Sequence, residues 1–213
     1  MKGCIILNGK INNYKFIKSK INNEKYNYII CADGGANHTY KMGIIPNFIV
    51  GDLDSAEDNI IDYYKNNNVK FEKFPSKKDE TDTELCIYLA NKLECKEIHI
   101  IGALGGRLDH TLANINILSN IKSLDIKCKI ISETEEVFIA IDEKVEIEGR
   151  VGDIISIIPI NGDACGVTLE NLEYPLNNYN MKFGIPLGIS NVMLDTKCTI
   201  KVEKGSLIII RNI

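Results

Sequence analysis

The first two-thirds of the chain alternates short apolar runs with longer amphipathic segments, and this alternation restricts the fold more than any other feature of the sequence. The segments between the runs have helical periodicity: Leu85, Leu89 and Leu93 recur at every fourth position, and Ser55 is predicted to N-cap the helix that precedes them. Alternating strands and helices are typical of a parallel sheet with helices on both faces, a Rossmann-like α/β domain. The predicted strands are residues 3–7, 26–32, 47–51, 69–74 and 97–103.

The pattern changes near residue 142. Residues 144–149 and 198–205 alternate apolar and polar side chains, as half-exposed strands do, and no segment of this region has helical periodicity. We therefore predict two domains, an α/β domain over residues 1–142 and a small antiparallel β domain over residues 143–213. Three acids before the change are expected to lie in a solvated connection: Glu133, Glu135 and Glu136.

Composition excludes several classes of function. The formal net charge of −4 over 213 residues is unlike that of a protein that binds nucleic acid or an anionic membrane. Seven cysteines lie far apart without a CxxC motif, so the sequence indicates reduced thiols and a cytoplasmic location, with no zinc site. No apolar run approaches the roughly 18 residues of a membrane-spanning helix.

Clusters of polar residues and glycines follow four of the predicted strands. Because ligands of an open parallel sheet bind outside the carboxyl ends of its strands, we expect these clusters to meet in one cleft. The first two clusters are Asp33 with Gly34 and Gly35, and Asp52 with Asp54; the others are Lys78, Thr81 and Asp82, and Gly105, Gly106, Arg107, Asp109 and His110.

These residue types suit a metal and a phosphate chain. Carboxylates that converge on one cleft need a cation, and hard oxygen ligands without a His or Cys cluster favour Mg²⁺, which commonly shares its ligands with substrate phosphates. Glycine pairs let backbone N–H groups approach phosphate closely, and Arg107, one of only three arginines, could bind phosphate through two N–H groups. The sequence has neither a GxGxxG dinucleotide fingerprint nor a P-loop.

Taken together and in this order, the motifs resemble those of the bacterial type of the thiamine pyrophosphokinase family. The motifs are "ADGGAN" (32–37), "GDLDS" (51–55), "KKDETDTE" (77–84), "GALGGRLDH" (102–110), "GISN" (188–191) and "GSLIII" (205–210). The resemblance implies an N-terminal α/β domain, a C-terminal β-sandwich and a homodimer whose active sites form between subunits. It also implies Mg²⁺-dependent transfer of pyrophosphate from ATP to the hydroxyethyl oxygen of thiamine, with release of AMP.

The same resemblance assigns roles to individual residues. Metal binding falls to Asp52, Asp54 and Asp82, with Asp33 and Arg107 also catalytic, and either Asp33 or Asp82 is the candidate base. Nucleotide binding falls to Gly34, Gly35, Lys78, Thr81, Gly105, Gly106, Arg107, Asp109 and His110, and thiamine binding to Ser190 and Asn191. The chain departs from the animal members in two ways. It has no Trp to stack on thiamine, for which Tyr174 and Phe183 are candidates, and Leu85 stands where they have a Lys, whose charge Lys78 is the candidate to supply.

Three other hypotheses remain open at this point. A pyrophosphokinase for another alcohol, such as a hydroxymethylpterin, would have the same phosphate site and a different acceptor. A nucleotide- or thiamine-binding sensor would release no AMP. A structural α/β protein with solvated acidic loops would show no Mg²⁺-dependent binding of ATP.

Overall fold

The computed structural model describes residues 1–73 and 80–213, which form two compact units, Met1–Glu133 and Thr134–Ile213. The first unit alternates strands and helices. Its elements are β1 (Lys2–Ile6), α1 (Tyr14–Asn23), β2 (Tyr28–Ala32), α2 (Gly35–Met42), β3 (Phe48–Gly51), α3 (Asp58–Asn66), β4 (Lys70–Lys73), α4 (Asp82–Lys92), β5 (Glu97–Ile101), α5 (Leu108–Ser123) and β6 (Lys127–Ile131).

The six strands of the first unit pair in parallel, in the order β4-β3-β2-β1-β5-β6. This confirms the predicted parallel α/β architecture and adds β6 to the five predicted strands. The chain moves outward from β1 to β4 and then returns to the other side of β1 with β5. The loops after β1 and β5 therefore leave the sheet in opposite directions, which opens a crevice at the carboxyl ends of these two strands.

Local sequence explains where several helices begin and end. Asn13 accepts a hydrogen bond from the Phe16 N–H at the start of α1, and Gly43, at φ 62°, ends α2 in the left-handed conformation. The predicted cap at Ser55 is wrong: α3 begins at Asp58 with Glu57 as its N-cap. The Ser55 hydroxyl instead donates to Asp54 Oδ1 at 3.0 Å, and this contact occupies the side chain that would have capped the helix.

The second unit contains only strands: β7 (Glu135–Ile141), β8 (Lys144–Glu148), β9 (Ile154–Glu170), β10 (Leu176–Met181), β11 (Gly188–Val192), β12 (Lys197–Lys201) and β13 (Lys204–Asn212). The pairings of these strands with one another are antiparallel, as predicted. The long strand β9 pairs with β11 and β13 and also with β10 and β12. Buried side chains from all of these pairings, such as Ile157, Ile209, Leu169 and Ile200, belong to one core.

Strand β7 places the division between the units at residues 133 and 134, whereas the change of sequence pattern placed it after residue 142. It pairs with β13 along its whole length and so belongs to the second unit. The solvated connection expected around Glu136 is wrong for that residue. Only 5% of Glu136 is exposed, and its carboxylate pairs with Arg211, which also pairs with Asp153. Within the described ranges, no helix has the length and apolar character needed to cross a membrane.

Candidate active site

A cavity of about 990 Å³ lies in the first unit, at the carboxyl ends of the parallel strands. Its described lining follows β2, β3 and β5 and includes the start of α4, as the position of the polar clusters predicted, and it also follows β1. Gly35 is not part of this lining, Lys78 lies outside the described residues, and Ser190 and Asn191 belong to the second unit. The predicted residues that line the cavity are Asp33, Gly34, Asp52, Asp54, Thr81, Asp82, Gly105, Gly106, Arg107, Asp109 and His110.

Three carboxylates form the centre of the acidic side of the cavity. One oxygen each from Asp33, Asp52 and Asp54 can be chosen so that all three lie within 4.8 Å of one another. The loop after β3 presents two of them because Leu53, at φ 71°, turns the backbone while its side chain packs against the core. A left-handed leucine is strained, and such strain is commonly retained at functional sites.

Asp33 is the buried member of this group. Its Oδ2 accepts a hydrogen bond from the Ser55 N–H at 3.2 Å, while its Oδ1 is buried and has no hydrogen-bond partner among the described residues. Burial raises the pKa of this carboxyl group; the hydrogen bond from the Ser55 N–H opposes the shift, and the charges of Asp54 and Asp82 add to it. A buried carboxylate oxygen without a partner, beside two other carboxylates, fits a hard divalent cation.

Gly51 gives the carboxylates room to approach one another. A Cβ atom at this position would lie 3.0 Å from Asp33 Cβ and 3.3 Å from Asp82 Oδ1. Asp82, the third predicted metal ligand, therefore lies beside Asp33 across the glycine backbone, although it is not part of the group of three. Any larger residue at position 51 would push these two side chains apart.

The two predicted glycine pairs serve different purposes. A Cβ atom on Gly35 would lie 2.1 Å from the Ile6 carbonyl oxygen, and one on Gly34 would lie 2.4 Å from Asn8 Nδ2. The first pair thus lets α2 pack directly against β1. Gly105 and Gly106, at φ 79° and 82°, have the left-handed backbone that the loop after β5 requires, and both line the cavity.

The cap of α4 and a bidentate ion pair lie on the cavity wall. The Thr81 hydroxyl and the Glu84 side chain form a capping box, so this hydroxyl is already engaged at the helix N-terminus. Arg107 donates through Nη2 to Asp109 Oδ2 at 2.6 Å and through Nε to Asp109 Oδ1 at 3.1 Å. This pairing raises the pKa of Arg107 and lowers that of Asp109. The guanidinium face predicted for phosphate therefore holds a carboxylate.

Sequence reasoning missed the residues that follow β1, as well as a residue that fixes the acidic loop. Asn8, Gly9 and Lys10 line the cavity. The rule that ligands bind outside the carboxyl ends of parallel strands would have found them had it been applied to the first predicted strand, since β1 lies at the centre of the sheet. Asn37, within "ADGGAN", donates to the Ser55 carbonyl at 3.0 Å and accepts from the Glu57 N–H at 3.3 Å. It holds the loop that carries Asp52 and Asp54 against α2.

In the second unit, the segment predicted to bind thiamine is irregular and partly buried. Ser190 is exposed at φ 58°, and its N–H donates to Ser156 Oγ at 3.1 Å. Asn191 is only 3% exposed, and its amide bonds both the N–H and the carbonyl of Tyr174, at 2.9 and 2.8 Å. The side chains of Tyr174 and Phe183 are 63% and 60% exposed. Asn191 thus holds the backbone that carries an exposed aromatic ring.

Comparison with known proteins covers both units. A family model described as the catalytic domain of thiamin pyrophosphokinase matches residues 20–130, and one described as its vitamin B1 binding domain matches residues 136–207. The chain belongs to the thiamine pyrophosphokinase family. This confirms the family and the class of enzyme indicated by the sequence motifs. The two matched ranges lie on either side of the division between the compact units.

Individual members of the thiamine pyrophosphokinase family agree with these models. Thiamine pyrophosphokinase of Bacillus subtilis is 32% identical over 184 residues, which are 86% of this chain and 86% of that protein. Thiamine pyrophosphokinase 1 of Arabidopsis thaliana is 28% identical over 84% of this chain and 75% of its own length. The crystal structure of the B. subtilis enzyme has a TM-score of 0.88 at 28% identity and covers 100% of this chain and 99% of that one.

Proposed function

We propose that this chain transfers the diphosphate group of ATP to the hydroxyethyl oxygen of thiamine, in the presence of Mg²⁺, and so produces thiamine diphosphate and AMP. The observation that carries the proposal is the group formed by Asp33, Asp52 and Asp54 inside a cavity, in a chain of this family. Cytoplasmic location is part of the same proposal, supported by seven cysteines that are all free thiols.

In the proposed reaction, the thiamine hydroxyl oxygen forms a bond to the β-phosphorus of ATP, and the bond from that phosphorus to the oxygen bridging the α-phosphorus breaks. AMP leaves with the bonding electron pair. Asp33, Asp52 and Asp54 are the residues that would hold Mg²⁺, because their oxygens are close together and Asp33 Oδ1 has no other partner in the described part of the chain. The bound cation would supply charge neutralisation for the β- and γ-phosphate oxygens.

Asp82 is the residue that we propose accepts the proton of the thiamine hydroxyl. It lies across Gly51 from Asp33, and the sequence left these two residues as the candidate bases. A carboxylate that shares a cation has less electron density to offer a proton, which favours Asp82 over Asp33 for this role. Holding the alcohol in line with the leaving oxygen matters more for this transfer than the strength of the base.

For thiamine, we propose a site on the segment that contains Ser190 and Asn191. Ser190 is an exposed residue whose hydroxyl we propose contacts the ligand, whereas Asn191 acts through the backbone of Tyr174. The exposed ring of Tyr174 then takes the place of the Trp that this chain lacks, with Phe183 as the other exposed aromatic candidate. The α/β unit would bind the nucleotide and the β unit thiamine.

We also propose that the chain acts as a homodimer. Residues 174–194 of the second unit include six large hydrophobic residues that are between 49% and 63% exposed, and exposed apolar surface of this extent favours a protein interface. These residues are Tyr174, Phe183, Ile185, Leu187, Ile189 and Leu194. Sedimentation equilibrium over a range of concentrations tests this, and a strictly monomeric chain would refute it.

The test of the reaction uses the purified full chain with thiamine, Mg²⁺ and ATP labelled in its γ-phosphate. Thiamine diphosphate that carries the label, in amounts equal to AMP, is the expected result. Formation of ADP and thiamine monophosphate would overturn the pyrophosphoryl assignment. A hydroxymethylpterin that replaces thiamine as the better acceptor would change the substrate, and tight binding of both ligands without AMP release would favour the sensor.

A further inference from the structure

The loop after β1 has no role in the mechanism proposed above, although it lines the same cavity. It brings Asn8, Gly9 and Lys10 to the cavity wall. These residues precede the range 20–130 that the catalytic-domain model matches. Comparison with the family model therefore assigns them no function, and their role has to come from the structure.

The charge of the cavity wall shows why a cation matters here. Among the described lining residues, six side chains are carboxylates and only two are Lys or Arg, namely Lys10 and Arg107. The guanidinium of Arg107 is engaged by Asp109 through two of its nitrogens. The Lys10 ammonium has no hydrogen bond or ion pair within residues 1–73 and 80–213. Among the lining residues that the structure describes, Lys10 is therefore the cation that no carboxylate already holds when a polyanionic phosphate chain enters this acidic cavity.

The backbone just before Lys10 is held rigidly. The Gly9 N–H donates to the Gly102 carbonyl at 2.8 Å, and His38 Nε2 bonds the Gly9 carbonyl oxygen, also at 2.8 Å. Because a carbonyl oxygen only accepts, Nε2 carries the proton and Nδ1 accepts from the Tyr14 hydroxyl. A Cβ atom on Gly9 would lie 2.2 Å from the Gly102 oxygen, so only glycine fits this approach.

The backbone just after Lys10 is held as well. Ile11 is 8% exposed and belongs to the core of the first unit. The N–H groups of Asn12 and Asn13 both donate to Glu133 Oε1, at 2.6 and 3.0 Å. Anchored on both sides, the loop exposes Lys10 from a fixed backbone, which reduces the entropy lost when its side chain engages a ligand.

The side chain of Lys10 begins beside the glycine loop after β5. A Cβ atom on Gly105 would lie 3.3 Å from Lys10 Cβ, so the glycine leaves space for the lysine stem. Gly105 and Gly106 are the residues whose backbone was predicted to approach phosphate. Lys10 therefore enters the cavity next to that loop, at the crevice between β1 and β5 where ligands of such sheets bind.

We propose that Lys10 contacts the phosphate chain of the nucleotide and adds its positive charge to that of Arg107, which is already paired with Asp109. This inference rests on the proposed function, since it requires ATP in this cavity. A flexible ammonium suits a phosphate chain, because it follows the charge without requiring one planar geometry. In this proposal, the loop of residues 7–13, which follows β1, binds the nucleotide.

The test compares Lys10→Gln with Lys15→Gln, which removes the same charge from an exposed position on α1 outside the cavity lining. Calorimetry on the full chain measures binding of Mg·ATP, of Mg²⁺ with inorganic pyrophosphate, and of adenosine. Lys10→Gln is expected to weaken both phosphate ligands by about tenfold to a hundredfold, the effect of one lost charge-assisted contact, and to leave adenosine binding unchanged. Lys15→Gln should match the wild-type chain, and Lys10→Arg should recover most of the affinity.

The outcomes separate the two proposals. If the wild-type chain binds Mg·ATP and forms AMP while Lys10→Gln and Lys15→Gln behave alike, the inference about Lys10 is wrong and the proposed function stands. Equal losses for adenosine and Mg·ATP in Lys10→Gln would mean that the residue only supports the loop, which also refutes the inference. A wild-type chain without affinity for Mg·ATP would overturn both. Urea unfolding of each variant verifies that the fold is intact.

Discussion

Acid is expected to destabilise the first unit through His99, before most carboxylates become protonated. This side chain lies on β5, is only 2% exposed, and bonds the Tyr26 hydroxyl through Nδ1 and the Glu97 carboxylate through Nε2. Burial lowers the pKa of His99 to about 4, and the positive charges of Lys129 and Lys2 act in the same direction, while Glu97 opposes them. The folded chain therefore holds a neutral imidazole.

The size and sign of the effect follow from the two pKa values. The pKa of His99 is lower in the folded chain than the 6.5 of an ordinary histidine. Its contribution to stability is therefore complete above that value and is lost as the pH falls towards 4. Proton linkage gives a loss of about 2 kcal/mol in the free energy of unfolding between about pH 7.5 and about pH 5, and about 3 kcal/mol once both states are protonated.

The assay is urea unfolding of the wild-type chain and of His99→Gln at these two pH values, with exposed His110→Gln as the matched control. Between these two pH values, the wild-type and His110→Gln chains should both lose the contribution of His99 to the free energy of unfolding. His99→Gln should lose about 2 kcal/mol less than either. Burial also lowers the pKa of His38, but that residue is present in all three proteins and cancels in the comparison. An equal loss in His99→Gln and the wild-type chain would refute the assignment of a buried neutral imidazole.

Three further variants test the site and its supports. Asp52→Asn should lower turnover by about a hundredfold or more, because it removes one preorganised charge, and it should not lower stability, because it relieves repulsion between carboxylates. Asp62→Asn, on the surface, is the kinetic control. Near-normal turnover of Asp52→Asn at limiting Mg²⁺ would place the metal elsewhere. Gly9→Ala should cost about 2–4 kcal/mol in urea unfolding, since its new methyl group would meet the Gly102 oxygen at 2.2 Å; a loss below about 0.5 kcal/mol would show that the loop moves easily. Asn191→Ala should destabilise the second unit by about 1–3 kcal/mol and weaken thiamine binding by a similar amount in calorimetry, with Mg·ATP binding unchanged. Equal losses for both ligands would remove the thiamine assignment.

The parallel sheet and the location of the cavity could be predicted because both depend on patterns along the chain. Apolar runs with the length of a strand and helical periodicity between them are local properties, and they led to the correct architecture for both units. The carboxyl ends of parallel strands share one edge of a sheet. Clusters as far apart in sequence as Asp33 and Asp109 therefore had to face the same cavity.

The errors concern residues whose partners lie far away in sequence. Ser55 has the sequence pattern of a helix cap, but its N–H donates to Asp33, which lies 22 positions earlier, after the neighbouring strand β2. Glu136 has the sequence of a solvated acid, but Arg211, 75 positions later, gives it a buried partner. Neither outcome follows from propensity, because each depends on which strands become neighbours.

The sequence by itself determined the class of fold, the family and the set of acids and glycines available for the site, since all three depend on residue type and order. Only the tertiary structure decided how those residues are used. It brought Asp33 into one group with Asp52 and Asp54 and turned Asn191 towards the Tyr174 backbone. It also placed Lys10 in the cavity through a loop of otherwise ordinary sequence. The physical reason is that a side chain bonds only to groups that the fold brings within bonding distance. Residue type alone does not determine which groups those are.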